Sequence, residues 1–221
     1  MEGADAIVAP EQAQYWFQAG LRCVSLVHYG TSAYAVGTGQ DGPLTDQGRQ
    51  LLRQFESVGM VLDLTHLSDT SFYQAVDEFA GPVCASHQNC RTLVPGQRQF
   101  SDEQMKIVIE RGGVVGIACD AWMLYPGWKR GETSREVVSI DALTDHIDHI
   151  CQLAGNTNHV CMGSDLDGGF GTEQTPNGLD SIADLQKLGT LMSQRGYTDR
   201  DIDAILGENW LRFFAQHLPS N

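Results

Sequence analysis

Met60-Val61-Leu62-Asp63-Leu64-Thr65-His66 is a short apolar run that stops on a histidine. The same shape recurs in Pro82-Val83-Cys84-Ala85-Ser86-His87, in His159-Val160-Cys161-Met162-Gly163-Ser164-Asp165 and in Cys23-Val24-Ser25-Leu26-Val27-His28. Continuous Val/Ile/Leu-rich runs of this length read as parallel strands buried on both faces. In a barrel of such strands, the residues at their C-terminal ends converge on one site. Histidine and aspartate there are metal ligands and proton-transfer groups, so the pattern reads as a metallohydrolase.

Helical segments fill the spaces between these runs. They are expected at 10–20, 44–58 (capped by Thr45), 68–80, 101–111 and 140–154, then at 179–195, 199–206 and 208–217. Ser101-Asp102-Glu103-Gln104 has the form of a capping box. A fifth strand is read at 113–119. Strand–helix alternation of this kind gives a parallel sheet with right-handed crossovers. A closed (β/α)8 barrel needs eight strands, so the count is about three short. An open five-strand sheet also fits it, but no glycine-rich phosphate loop follows the first strand, which argues against nucleotide binding.

Twenty-eight acidic residues against 14 basic ones leave a net charge of −14. A nucleic acid or an anionic membrane surface needs a basic face, so neither partner is expected. The six cysteines show no CxxC spacing, and four lie within apolar runs. A cysteine zinc site is therefore not expected, and a reducing, cytoplasmic compartment is. No signal peptide or membrane-spanning stretch is read. Association into a homo-oligomer is left open.

His66 and His87 are the sharpest pair, because two imidazoles on neighbouring strands can reach one metal from the same side. The competing reading is two histidines that merely cap strand ends. Asp165 suits proton transfer beside a metal, against a plain Asx turn; Asp167 is left to structure. His28 could ligate metal or polarise a substrate carbonyl. Arg91 and Arg98 both follow His87, and either guanidinium could recognise a carboxylate or form a surface ion pair. His146 and His149 look like a metal motif but fall mid-helix, so both are assigned to structure. His159 and His217 receive no role.

Several segments, taken in order, resemble the membrane dipeptidase (renal dipeptidase) family, peptidase family M19. They include Gly42-Pro43-Leu44-Thr45-Asp46-Gln47-Gly48, Asp63-Leu64-Thr65-His66-Leu67-Ser68-Asp69, Ser86-His87-Gln88-Asn89-Cys90-Arg91, Gly163-Ser164-Asp165-Leu166-Asp167-Gly168 and Gly207-Glu208-Asn209-Trp210-Leu211-Arg212. The resemblance spans essentially the whole chain. It implies a zinc-dependent (β/α)8 hydrolase that cleaves dipeptides through a metal-bound hydroxide. It also implies roles: His66 and His87 as ligands of one zinc, and Glu2 as the carboxylate bridging two. His28 would contact substrate and stabilise the tetrahedral intermediate. Arg98 rather than Arg91 would hold the substrate carboxylate, and Asp165 would be the acid/base.

The departure is at the start. The family's other zinc is held by a His-x-Asp pair on the first barrel strand, and no histidine precedes His28. One zinc site has its full ligand set and the other does not. The expectation is thus a single partial barrel domain over 1–221, with unpaired edges at the strands 23–28 and 159–164. The functional expectation is a metallodipeptidase; the alternative is an inactive remnant that binds one zinc or a partner chain. A barrel amidohydrolase with a metal-bridging lysine fits poorly, since no strand ends in Lys.

Overall fold

Five short parallel strands and eight α-helices make up the computed structural model, which describes residues 1–219. In chain order the elements are α1 (Ala13–Gln18), β1 (Cys23–Ser25), α2 (Asp46–Val58), β2 (Val61–Asp63), α3 (Asp69–Glu78), β3 (Val83–Cys84) and α4 (Asp102–Glu110). They continue with β4 (Val115–Ile117), α5 (Ala142–Ala154), β5 (Val160–Met162), α6 (Lys187–Gln194), α7 (Asp199–Asp203) and α8 (Asn209–His217). Every strand and helix read from the sequence is present, with tighter bounds. The strands form two parallel sheets, β1-β2-β3 and β4-β5. The chain divides into two compact units, the first holding 1–85, 111–113 and the segment from Phe213 on, the second 86–110 and 114–212.

In the first unit, Cys23, Val24 and Ser25 pair with Val61, Leu62 and Asp63, and Leu62 and Asp63 pair with Val83 and Cys84. All three residues of β2 are buried, as a central parallel strand requires. The amphipathic helix α2 buries Leu51, Leu52 and Phe55. Thr45 starts it by accepting a hydrogen bond from Gly48 N at 3.0 Å. Gly48 has a second purpose, because a Cβ there would lie 2.0 Å from Tyr34 O. Ser68 starts α3 in the same way, accepting from Ser71 N at 3.2 Å.

In the second unit, Val115, Gly116 and Ile117 pair with Val160, Cys161 and Met162. The segment after Ser86 runs along the other side of β4. Gln88 N donates to Gly116 O at 2.6 Å. The Asn89 side chain pairs both ways with Ala118, accepting from its N at 2.9 Å and donating to its O at 3.1 Å. Helix α4 begins with the expected capping box: Gln104 N donates to Ser101 Oγ at 3.3 Å, and Ser101 N to Gln104 Oε1 at 2.9 Å.

The free edges of β1 and β5 each carry hydrogen-bond partners. On β1, Ser25 N donates to Met1 O at 3.0 Å, the Met1 nitrogen donates to Cys23 O at 2.7 Å, and Ala4 N donates to Leu26 O at 3.4 Å. On β5 two side chains do this work. Asn209 Nδ2 donates to Val160 O at 2.8 Å, and Trp210 Nε1 donates to Met162 O at 2.8 Å. Both follow a π-helical turn, Ala204–Glu208, that joins α7 to α8. The expectation of unpaired edges is therefore corrected in part: backbone from residues 1–4 pairs along β1, and two side chains take the β5 carbonyls Val160 O and Met162 O.

Candidate metal and hydrolytic site

The ladders end at matched positions, and the site residues sit at one fixed offset beyond them. Ser25, Asp63 and Cys84 are aligned across β1, β2 and β3. Three residues past each stands a histidine: His28, His66 and His87. Ile117 and Met162 are aligned across β4 and β5, and three residues past each stands an aspartate, Asp120 or Asp165. Among the described residues, His66 (φ 71°) and Asp165 (φ 56°) are the non-glycine residues with positive φ. A left-handed residue cannot continue a strand, so neither apolar run can stay extended through its last residue; β2 and β5 end three residues earlier, at Asp63 and Met162. Such backbone costs an L-residue energy and concentrates at functional sites.

His66 is buried, at 4% exposure. Its Nδ1 lies 2.8 Å from Thr38 Oγ1, and its Nε2 lies 2.9 Å from Glu2 Oε1. His28 Nε2 is 3.7 Å from the same carboxylate oxygen, and the two imidazole rings meet edge to face with centroids 4.4 Å apart. Glu2 is fixed by its neighbours: Met1 and Ala4 pair with β1, and Gly3 N donates to Ser25 Oγ at 2.8 Å. A position that reads as a frayed terminus is thus held against a strand. Glu2, His28 and Tyr29 line a cavity of about 350 Å³. Imidazole nitrogen and carboxylate oxygen so close together form a donor set able to hold a metal ion. The hydroxyl on the far ring nitrogen is the kind of outer contact that orients a ligating histidine.

In the second unit His87 Nδ1 lies 2.9 Å from Ser86 Oγ. The Arg98 guanidinium is buried beside it, with Nη2 donating to His87 O at 3.0 Å and Nη1 to Gln88 Oε1. Arg91 braces its own loop, donating to Gln99 O at 2.8 Å through Nε. Asp165 lies at the start of the glycine-rich loop, where Gly168 N donates to Asp165 O at 2.9 Å. A Cβ on Gly168 would come within 2.7 Å of the Asp165 carboxylate, so glycine leaves that group its space.

The remaining histidines are structural. His146 is buried and accepts from Cys90 N at 3.0 Å through Nδ1. Burial holds it neutral, with its pKa lowered to about 4, and His149 adds to this. His149 pairs with Asp102 at 2.8 Å. Asp145, its i−4 neighbour, pairs with Arg195 instead. His159 gives its carbonyl to Val115 N, and His217 packs on Phe213.

Two residues beside the candidate residues, one in each unit, escape the sequence reading. Thr38 lies in a loop with no motif around it. Asp120 had a signal, since Val114-Val115-Gly116-Ile117-Ala118-Cys119-Asp120 is a fifth apolar run that stops on an acid.

The sequence model of the membrane dipeptidase family, peptidase family M19, matches residues 1–218. The chain belongs to that family. Among curated relatives, the dipeptidase tcpJ of Claviceps purpurea is 27% identical over 89% of this chain and 45% of its own length. An uncharacterised dipeptidase of Schizosaccharomyces pombe is 27% identical over 96% of this chain and 51% of its own. A solved M19 metallopeptidase, dipeptidase AC, superposes with a TM-score of 0.88 at 28% identity, covering all of this chain and 63% of that one. A metallopeptidase of Rhodobacter sphaeroides, solved with a phosphinate mimic of L-Ala-D-Ala, gives 0.82 at 25% identity over 92% of this chain and 58% of that one. The chain thus spans about half to two thirds of the length of these M19 relatives. The family is one of metal-dependent hydrolases. No helix among the described residues is long and apolar enough to cross a membrane.

Proposed function

We propose that this chain carries the hydrolytic centre of a zinc-dependent dipeptidase, set in part of a (β/α)8 barrel domain. The observation that carries the reading is the common offset: every strand of both sheets is followed, three residues on, by a histidine or an aspartate. In a parallel α/β domain that edge is where chemistry is done.

Glu2, His66 and His87 are the residues that would hold the metal, and neutral imidazole with carboxylate suits zinc. When bound, the ion supplies activation of water and polarisation of the peptide carbonyl. Asp165 takes the proton from the attacking water and returns it to the leaving amine. His28 donates to the carbonyl oxygen as negative charge develops there. Arg98 orients the substrate by its C-terminal carboxylate. Six free thiols support a reducing compartment such as the cytoplasm.

The test is metal analysis of the zinc-treated chain together with hydrolysis of a panel of dipeptides, for wild type and for H66A and D165N. The reading expects bound zinc and turnover in wild type, zinc without turnover in D165N, and neither in H66A. Stoichiometric zinc in H66A would refute the ligand assignment. Zinc without turnover in wild type would select the inactive one-zinc alternative.

A further inference from the structure

Asp120 stands on the strand beside that of Asp165 and at the same offset, and the proton-transfer scheme does not use it. Its side chain is almost fully buried, at 5% exposure. Oδ2 accepts from the Trp122 indole Nε1 at 2.6 Å and from the Gln174 carboxamide Nε2 at 2.6 Å. Oδ1 has only the Trp122 backbone N–H, at 3.3 Å. Ala121 N donates to Gln174 O at 2.8 Å, which locks the two segments together. Gln174 is 7% exposed, and its Oε1 is buried with no hydrogen-bond partner.

The donors around Asp120 are neutral, and among the described residues no lysine, arginine or histidine pairs with it. The neighbouring charge that acts on it is Asp165, which has the same sign. Burial accordingly pushes the Asp120 carboxyl up to about 6, with Asp165 adding to the rise and the hydrogen bonds from Gln174 and Trp122 opposing it. The place is therefore rich in acceptors and lacks a cation. Buried charge and buried amide oxygen are both costly when left unmatched, and a group kept in that state is a candidate for ligand recognition.

A dipeptide brings one cation of the right kind. Its α-ammonium group has three N–H donors and no acceptor. We propose that Asp120, supported by Gln174, accepts the free α-ammonium group of the substrate. The assignment rests on the dipeptide reading above and adds to it the group that selects an unblocked amino terminus. Arg98 then reads the carboxylate and Asp120 the ammonium, so the two ends of a dipeptide are recognised by opposite charges. A peptide with an acylated amino end would place a neutral amide against a buried carboxylate and be rejected.

Binding separates this from the parent reading. The zinc-treated full chain is titrated calorimetrically with a phosphinate mimic of an Ala-Ala dipeptide, and with the same compound carrying hydrogen in place of its α-amino group. Wild type should favour the amino compound by about tenfold or more, the scale of a buried charge pair. D120N, nearly equal in shape, should bind both within about twofold of each other. Equal binding of the two compounds by wild type overturns the proposal, and this comparison needs no variant. A preference retained in D120N overturns it as well, and in both cases the dipeptide reading survives. Failure of zinc-loaded wild type to bind either compound overturns that reading and this assignment with it.

Discussion

Glu2 Oε1 lies 2.9 Å from His66 Nε2, and Thr38 Oγ1 holds the other nitrogen of the same ring at 2.8 Å. The hydroxyl fixes which nitrogen faces the carboxylate, so under the proposed assignment its removal would loosen the His66 ligand without deleting it. T38V should weaken zinc binding by about 10- to 100-fold while leaving the melting temperature of the metal-free protein nearly unchanged. Competition with a chromophoric chelator measures the affinity. An unaltered zinc affinity would remove Thr38 from the site.

His146 should behave as a core residue. Its pKa is lowered to about 4 from an ordinary 6.5, so burial of the neutral ring contributes stability that is present above about 6.5 and lost as pH falls towards 4. H146F should destabilise the chain near pH 7, because it leaves Cys90 N without its acceptor, and should flatten the melting curve's dependence on pH in that window. Zinc content should not change. Loss of zinc in H146F would return this helix to the list of metal-binding elements.

Asp120 shows the opposite sign. Its folded pKa lies near 6, above its ordinary 3.8. The contribution is therefore most favourable below about 3.8 and is lost as pH rises through about 6. Relative to D120N, metal-free wild type should lose about 2–3 kcal/mol between those limits. Urea unfolding of the two proteins at several pH values measures the difference. A pH-independent difference would mean that the carboxyl titrates as an ordinary surface acid.

The covered edge of β5 can be tested by substitution. N209L removes the donor to Val160 O and to Thr157 O. Leaving buried carbonyls unpaired costs about 1–3 kcal/mol each. N209L should lower the melting temperature, and at higher protein concentration it should promote association, because the strand's carbonyls become open to another chain. Scattering at the melting temperature reports the second effect.

The sequence makes the strand ends legible because an abrupt change from apolar to polar residues marks where a buried ladder gives way to a loop. His28, His66, His87 and Asp165 all fall at such a change. Asp120 falls there too but is easily passed over, since Cys119 before it looks like the last apolar residue of its strand. What closes the edges is not legible in any local window. Asn209 and Trp210 meet β5 from almost fifty residues away, and nothing in their spacing announces it. Glu2 is similarly hidden, because its order comes from pairing with β1 rather than from its own propensity. The family resemblance supplies it where local reasoning does not.

The π-helical turn at Ala204–Glu208 sets the phase of everything after it. One residue more or fewer in that turn rotates the following side chains by about 100° around the axis. Asn209 and Trp210 would then face away from Val160 and Met162, although every residue of the helix would still be present. This segment is therefore intolerant of length change in a way that its composition does not betray. A single-residue deletion within 204–208 should be more damaging than most substitutions there.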